Sequence, residues 1–571
     1  MTDVTVSISS GLSASFSVGS SSGVGGSLIA PSALIGTGQV GTATTNNFIN
    51  LGSIWSVTTV AGSTTVNAFH VNHGASVGDD IDISNMTFGD GVYTELAAQL
   101  NGVFTITEVV STAQYRFVLP SAAVESVVTS GAADVDYEIN VGKDFVIGGP
   151  GWGAGSWGRG TWGSESDRST FTDLALWSED NFGQDLIINI RDGNIYYWKR
   201  SQGTGVRAQP LSFYSTNAPT VARKVIVSDR DRHVILFGAN PEGSTEQDPM
   251  LIRFSDQENP FEWRARPDTT SGDLRLGNGS EIVTAVETKR EVIVLTDTSI
   301  HSMSYIGAPY TFGINQIGNN ITTRSPNCAV AVGDAVYWMG YDRFYMYDGR
   351  IMPLPCTVRD YVFQDFNEVQ AQKVTAGINA SFNEVIWFYP SETNSSANGG
   401  TDENDRYVIF NYEESIWYYG QLERTAWADR GIIPDPVATT SSSNVSEPSY
   451  LFRQEQGYDA NGSPITAYID SSPVDMEDGE KFVFINRMIP DVDFSKSDST
   501  AVKEATFTLK SQRYPGTGFT TSKPYTVTDT TGQTNTRIRG RSFGLRVESD
   551  NQGVFWRLGS PRVDVRQDGK R

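Results

Sequence analysis

Few residues in this chain stand in patterns that support chemistry. Gly74-Ala75-Ser76-Val77-Gly78 has the glycine–serine spacing of a nucleophile elbow, where a turn between a strand and a helix lifts a serine hydroxyl toward substrate. Asp79-Asp80 and a β-type run, Ile81-Asp82-Ile83, follow where a helix is required, so an ordinary turn is expected. His70 and His73 could share a metal ion, but no third or fourth ligand stands near them. Cys328 and Cys356 are each close to a proline, Pro326 and Pro355, and only His301 in that region could act as a base. Buried free thiols are therefore expected. His233 completes a set of four histidines, which leaves little material for metal or acid–base work. There is no phosphate-cradling G-x-x-x-x-G-K-[ST], no H-E-x-x-H and no loop of EF-hand spacing.

Carboxylates are abundant, 66 against 43 basic residues, for a net charge of −23. A glycoside hydrolase needs two of them across a sugar. With 66 available, the presence of a pair discriminates nothing. Ser255-Asp256-Gln257-Glu258-Asn259-Pro260-Phe261-Glu262-Trp263 is similar to the Asp-box turn of sialidases, yet it lacks that turn's glycine and occurs once. No catalytic residue, cofactor-binding residue or metal ligand is predicted, and the chain is expected not to be an enzyme. A carbohydrate-binding or glycoside-hydrolysing propeller stands as the alternative, and a surface adhesin would need an export signal that is not found here. The acidic balance argues against sequence reading of nucleic acid, which uses a basic footprint. It suits a conduit, whose wall must repel phosphate.

The elements that would position such residues are read from pattern. A chain of 571 residues is expected to divide into several domains. No apolar run reaches the roughly 20 residues of a membrane helix, and no signal peptide is read at the start. Val4 to Gly78 contains no Asp, Glu, Lys or Arg. Residues 1–44, rich in Ser and Gly, are read either as a flexible linker or as an arm that orders by strand addition. Residues 45–140 read as a small β-sandwich or barrel-like domain, with runs at Ser56–Val60, Ile81–Ile83, Phe104–Thr107 and Tyr115–Leu119. Next comes a glycine-rich stretch in which Trp152, Trp157 and Trp162 recur every five residues, a step that fits neither helix nor strand. Three structural anchors pinning a loop are expected there, with a sugar-binding ladder as the alternative.

Residues 141–490 carry a repeat. Apolar strand cores begin at Leu186, Val234, Val292, Val336 and Val385, at spacings of 48, 58, 44 and 49 residues. Polar turns such as Arg191-Asp192-Gly193-Asn194 and Gly340-Tyr341-Asp342-Arg343 lead into second strands. Units of this length, each of four strands, predict β-propeller blades, with a tandem of β-sandwiches as runner-up. Val358–Lys373 is the one short helix expected. The fold class is thus all-β: a propeller core, an added small β domain and a C-terminal β region over 491–571 with a basic tail. Arg537, Arg539 and Arg541 alternate, so in a strand they share a face, and Arg557, Arg562 and Arg566 follow. These six arginines are read as a subunit interface, docking on an acidic patch of a neighbouring copy, against the plainer reading of a solvated strand.

Several strings carry a resemblance: Leu176-Trp177-Ser178-Glu179-Asp180-Asn181-Phe182-Gly183-Gln184-Asp185-Leu186-Ile187, Phe254 through Trp263, Arg539-Gly540-Arg541, Trp556-Arg557-Leu558-Gly559 and Asp564 through Arg571. With the Trp–Gly ladder they resemble the tail nozzle, or hub, proteins of short-tailed bacteriophages, the tail tubular protein B and packaged DNA stabilization protein group. The resemblance spans about 140–571. His73–Asp79 and Leu100-Asn101-Gly102 resemble the β insertion of some members, whereas residues 1–44 differ from members with a longer, basic N-terminal region. The resemblance implies a propeller subunit in a homo-hexameric ring below the portal and adaptor, bearing tail fibres or spikes. Double-stranded DNA would pass through the lumen unread. It implies a virion protein assembled in the host cytoplasm, with no membrane span and no cofactor.

Overall fold

The computed structural model describes residues 16–17, 34–36, 42–45, 55–70, 75, 77–88, 93–111, 113–129, 132–140, 174, 176–203, 208–307, 310–440, 450–460, 462–475, 479–514 and 516–569. The chain is all-β, with 49% strand and 6% helix. It divides into two units, one holding Leu34–Phe452 and the other Arg453–Arg571.

In the first unit the small domain is one antiparallel sheet of eight strands. Its order is Thr42–Thr45, Ala132–Asn140, Asp80–Thr87, Gly102–Ser111, Gln114–Val118, Thr65–His70, Trp55–Thr59 and Val127–Thr129. Alternate residues Val66, Ala68, Ile81, Ile83, Phe104, Ile106, Tyr115 and Phe117 turn to its core, as the period of two requires. All four β runs read from the sequence here are strands. Asn101-Gly102 is not a turn: Asn101 ends a helix, Thr94–Leu100, and Gly102 opens a strand. That helix is a correction to the expectation of a single one. Leu96, Ala97 and Leu100 bury one face of it, a stripe too short to rise above the surrounding β-type sequence.

Five four-stranded antiparallel sheets follow in chain order. Sheet one spans Trp177–Pro210, sheet two Lys224–Arg275, sheet three Ile282–Asn319, sheet four Ala329–Pro353 and sheet five Thr375–Gln421. A further sheet holds Ala426–Ala428, Val437–Thr439 and Tyr450–Arg453, and Leu34–Gly36 pairs antiparallel with the last of these. The five apolar anchors all fall on second strands: Asp185–Ile190, Val234–Phe237, Val292–Thr296, Ala335–Met339 and Glu384–Tyr389.

Pleating explains why these strands are apolar throughout rather than alternating. Val234 and Leu236 pack with Ile187, Tyr197 and Val225, whereas Ile235 and Phe237 pack with Ile282, Val294 and Met303. In the same way Val292 and Val294 face sheet two, and Ile293 and Leu295 pack with Val336 and Trp338 of sheet four. Tyr337 and Met339 then turn to Val385 and Trp387 of sheet five. Sheets two, three and four are therefore covered on both faces by their neighbours in sequence, as propeller blades are. The first strands of successive sheets are also neighbours.

The helix read at Val358–Lys373 is Arg359–Gln364 followed by a 3-10 turn, Ala371–Lys373. The boundary read at 490 is corrected to Phe452/Arg453. Val483–Ile489 is the middle strand of a sheet whose edges are Thr534–Gly540 and Arg562–Gln567, so it belongs with the C-terminal unit. That unit buries Val483, Ile485, Met488, Phe507, Leu509, Ile538 and Val547 in its own core.

Candidate functional site

Two polar regions stand out, one in each unit. The first runs along the first strands of sheets one to three. There, side chains of one strand bond the main-chain amides of the next. The Val225 amide donates to Ser178 Oγ at 3.1 Å, and the Val227 amide to Asp180 Oδ2 at 2.8 Å. From the other side the Asp229 amide donates to Glu287 Oε1 at 3.0 Å. Val225 and Val227 sit on the edge strand of sheet two, where alternate amides point away from the sheet's own ladder, and Asp229 follows in the turn beyond it. An unpaired buried amide costs about 1–3 kcal/mol, and Ser178 and Asp180 remove that cost at buried Val225 and Val227. Lys224 Nζ donates to Thr284 Oγ1 at 3.0 Å, and Arg191 Nη1 to the Val283 carbonyl at 2.9 Å.

Packing of these charges moves their protonation. Burial, reinforced by Asp229 and Asp180, pushes the Glu287 carboxyl up to about 7 against the bonds it accepts. Burial also raises Asp180 and Glu179, although Lys224 opposes it in both. Lys224 itself is pushed down to about 8 by burial and by Arg191. A carboxyl whose native value lies above its unfolded one favours folding while protonated. Stability is thus expected to fall as pH rises from about 4.5 to 7, and Glu287→Gln should flatten that part of a melting-temperature profile.

The sequence candidates for chemistry are placed as follows. Cys328 is buried, its Sγ bonded to Ser325 and Met339 carbonyls, and Cys356 is half-buried; burial raises both thiols, which disfavours the nucleophilic thiolate. His233 and His301 are buried and held below the usual histidine range by burial, His233 bonded to Thr270 Oγ1 and His301 to Ser299 Oγ. His70 is also buried. His73, Gly74 and Ser76 lie outside the described residues, and a strand, Asp80–Thr87, follows them. No group of three His, Cys, Asp or Glu that could hold a metal occurs among the described residues. Trp152, Trp157 and Trp162 lie outside the described residues.

The Ser255–Trp263 segment is a structural turn between the third and fourth strands of sheet two. Asp256 Oδ1 accepts both the amide and the hydroxyl of Thr270 at 2.7 Å. Trp263 is buried and its Nε1 donates to the Pro260 carbonyl at 2.8 Å. Arg253, buried beneath it, donates to the carbonyls of Asn217, Asn240 and Trp263.

The second polar region is the open face of the sheet formed by Thr534–Gly540, Val483–Ile489 and Arg562–Gln567. One face buries Val483, Ile485, Met488, Thr536 and Ile538. The register sets Arg539 and Arg566 on either side of Phe484, and Ile489 opposite Arg562. Arg537, Arg487, Arg562 and Arg566 are exposed and Arg539 is half-buried. Within this sheet the face holds one carboxylate, Asp564, which pairs with Arg487 at 3.6 Å. Arg539 pairs with Asp568 just beyond the edge and stacks on Phe482 at 4.1 Å.

This arrangement keeps Arg537, Arg539, Arg562 and Arg566 on one surface and separates two others. Alternation stops at Gly540, where the strand ends, and Arg541 lies between strands, against the rings of Phe482 and Tyr514 at 4.9 Å each. Arg557 stands opposite Asp493 in a separate two-stranded ribbon. Arg487 was missed because it is an isolated arginine in a strand that pairs about 50 and 77 residues downstream.

No family model matches this chain, and none of the curated proteins does. Among solved structures it is similar to the computationally designed Ika8 protein (12% identity, 70% of this chain and 93% of that one, TM-score 0.30). It is also similar to apo AztD from Citrobacter koseri (7% identity, 70% and 95%, TM-score 0.27) and to the phage phi92 endosialidase (10% identity, 69% and 57%, TM-score 0.19). Likeness at these scores assigns neither a family nor an activity.

Proposed function

We propose that this chain is a virion structural protein, a tail nozzle subunit of a short-tailed bacteriophage. In this reading identical copies close head-to-tail into a ring that extends the portal–adaptor channel. The ring retains packaged DNA and lets it pass at ejection, and fibres or spikes attach around it. The observation that carries the reading is the arginine face on an otherwise acidic chain. A closed ring joins one surface of a subunit to a different surface of the next, and opposite charge is the simplest way to make two such surfaces recognise each other. The segments that carry the sequence resemblance, Leu176–Ile187 and Phe254–Trp263, serve as a hairpin of sheet one and a pinned turn of sheet two, which suits a protein acting by shape. Among the described residues no helix is long and apolar enough to cross a membrane.

Electron microscopy of the purified protein and of virions tests this reading. Rings of six copies are expected. A chain that stays monomeric at high concentration and is absent from purified virions would rule it out.

A second reading, a glycoside-hydrolysing propeller, has one observation in its favour: the Glu287 carboxyl, pushed up to about 7 beside Asp180 and Asp229, has the protonation of a general acid. Reducing-end release from host polysaccharide, lost in Glu287→Gln, would support it. No release from any polysaccharide offered would remove it.

A further inference from the structure

Four asparagines in the chain are followed by glycine: Asn101, Asn278, Asn398 and Asn461. Asparagine is chemically labile, and most so before glycine. With no side chain in the way, the glycine's main-chain nitrogen can reach the asparagine Cγ and close a succinimide ring. The fold decides whether that nitrogen and that carbon can meet.

Asn101, Asn398 and Asn461 are restrained. Asn101 Oδ1 accepts the Met86 amide at 2.9 Å, and Gly102 is paired opposite Ile83 in the strand ladder. Asn398 Nδ2 donates to the Glu392 carbonyl at 2.8 Å and to Ser395 Oγ at 3.2 Å, and the Gly399 amide donates to the Ser396 carbonyl at 3.2 Å. Asn461 lies outside the described residues, but the Gly462 amide donates to Asp459 Oδ1 at 3.3 Å. Asn278 differs. Among the described residues the Gly279 amide has no acceptor, and the Asn278 side chain makes one hydrogen bond, from Nδ2 to Asn319 Oδ1 at 3.3 Å.

This turn joins sheets two and three. The Ser299 hydroxyl donates to the Asn278 carbonyl at 2.8 Å, and the Ser280 amide donates to Asp297 Oδ1 at 2.9 Å. Glycine is required at 279, where φ is +116° and an added Cβ would lie 2.8 Å from both Asp297 Oδ1 and Thr296 Oγ1. The position thus keeps the residue that makes its neighbour reactive.

We propose that Asn278 deamidates spontaneously in the folded protein and that this modification loosens the joint between sheets two and three. The Gly279 nitrogen gives its proton to hydroxide and bonds to Asn278 Cγ. The Cγ–Nδ2 bond breaks, and Nδ2 leaves as ammonia, taking a proton from water. Water then opens the succinimide at either carbonyl, giving aspartate, or isoaspartate with the main chain routed through Cγ. Both products carry a new carboxylate next to Gly279, which packs on Asp297, and shortly before Glu281, whose carboxylate reaches Arg223 Nη1 at 2.6 Å. Isoaspartate also lengthens the main chain of a turn held on both sides. The proposal is independent of ring formation.

The full chain, kept folded in warm, mildly alkaline buffer, tests it. Digestion and mass spectrometry follow the exchange of NH2 for OH at each of the four sites, and each rate is divided by that of the same site in urea-unfolded chain. Asn278 is expected to convert faster on this scale than the other three by roughly three- to tenfold, the factor that one main-chain hydrogen bond is worth. Asn101, Asn398 or Asn461 converting as fast as Asn278 would overturn the assignment, as would an Asn278 that stays intact while they convert. Gly279→Ala is strained, so Asn278→Ser serves as the variant. Wild type should lose melting temperature during the incubation and Asn278→Ser should lose less. Equal losses would overturn the loosening of the joint.

Discussion

Arg223→Ala is expected to destabilise the first unit by about 2–4 kcal/mol, because it removes a buried guanidinium that bonds two part-exposed carboxylates and a main-chain carbonyl. Arg223 is buried just before the first strand of sheet two. Its Nε reaches Asp192 Oδ1 at 2.8 Å in the turn of sheet one, and its Nη1 reaches Glu281 Oε2 at 2.6 Å at the start of sheet three. Nη1 also donates to the Ile282 carbonyl at 3.2 Å. One side chain thereby ties three sheets. Gly238 is fixed by the same side chain: its φ is +62° and an added Cβ would lie 2.6 Å from Arg223 Cγ. Burial raises the Asp192 carboxyl, but the Arg223 bond and charge outweigh it and hold it below the usual carboxylate range. The stability drawn from the pair is therefore present above pH 4 or so and lost in acid as Asp192 protonates. Urea unfolding at neutral pH should show a lower midpoint for Arg223→Ala, with the gap to wild type narrowing in acid. Equal midpoints at neutral pH would mean that the sheets are held without this cluster.

Trp387→Ala should cost a comparable amount, about 3–5 kcal/mol for the lost indole. Trp387 is fully buried between sheets four and five, 4.9 Å from the Phe344 ring and 6.2 Å from that of Trp417. Its Nε1 donates to the Cys328 carbonyl at 2.9 Å. Trp387→Phe separates the two contributions, since it keeps most of the apolar area and gives up the hydrogen bond. Its expected cost is smaller by roughly half, set mainly by the orphaned carbonyl at about 1–3 kcal/mol. Thermal unfolding followed by near-ultraviolet circular dichroism distinguishes the three proteins. A Phe variant as unstable as the Ala variant would place the hydrogen bond above packing.

The blades were legible because burial on both faces removes alternation: Val234–Phe237 and residues 292–295 read as unbroken apolar runs wherever they are met. The charge asymmetry was legible for a different reason, being a property of counts. What stayed hidden depends on neighbours distant in sequence. Ser178, Asp180 and Glu287 are ordinary polar residues until an amide 47 or 58 positions away arrives beside them. Val483–Ile489 read as part of the propeller because its partners at 534–540 and 562–567 lie beyond any local hairpin. The arginine face was half legible. Alternation at 537 and 539 predicted a shared surface, but no local pattern marked the end of the strand at Gly540 or the arrival of Arg487.

The side-chain hooks between inner strands bear on how the polypeptide matures. Exposed strand edges are templates for mispairing, and a half-synthesised series of sheets has one at every stage. Here the fasteners join sheets consecutive in the chain: sheet two leaves the ribosome to meet the Ser178 and Asp180 acceptors already in place on sheet one, and sheet three then brings Glu287 to the waiting Asp229 amide. The partners are 47 and 58 residues apart, and the entropic cost of closing such segments grows only slowly with their length. Assembly in synthesis order leaves only the newest edge open, and a cell making many copies at once would accumulate few sticky fragments.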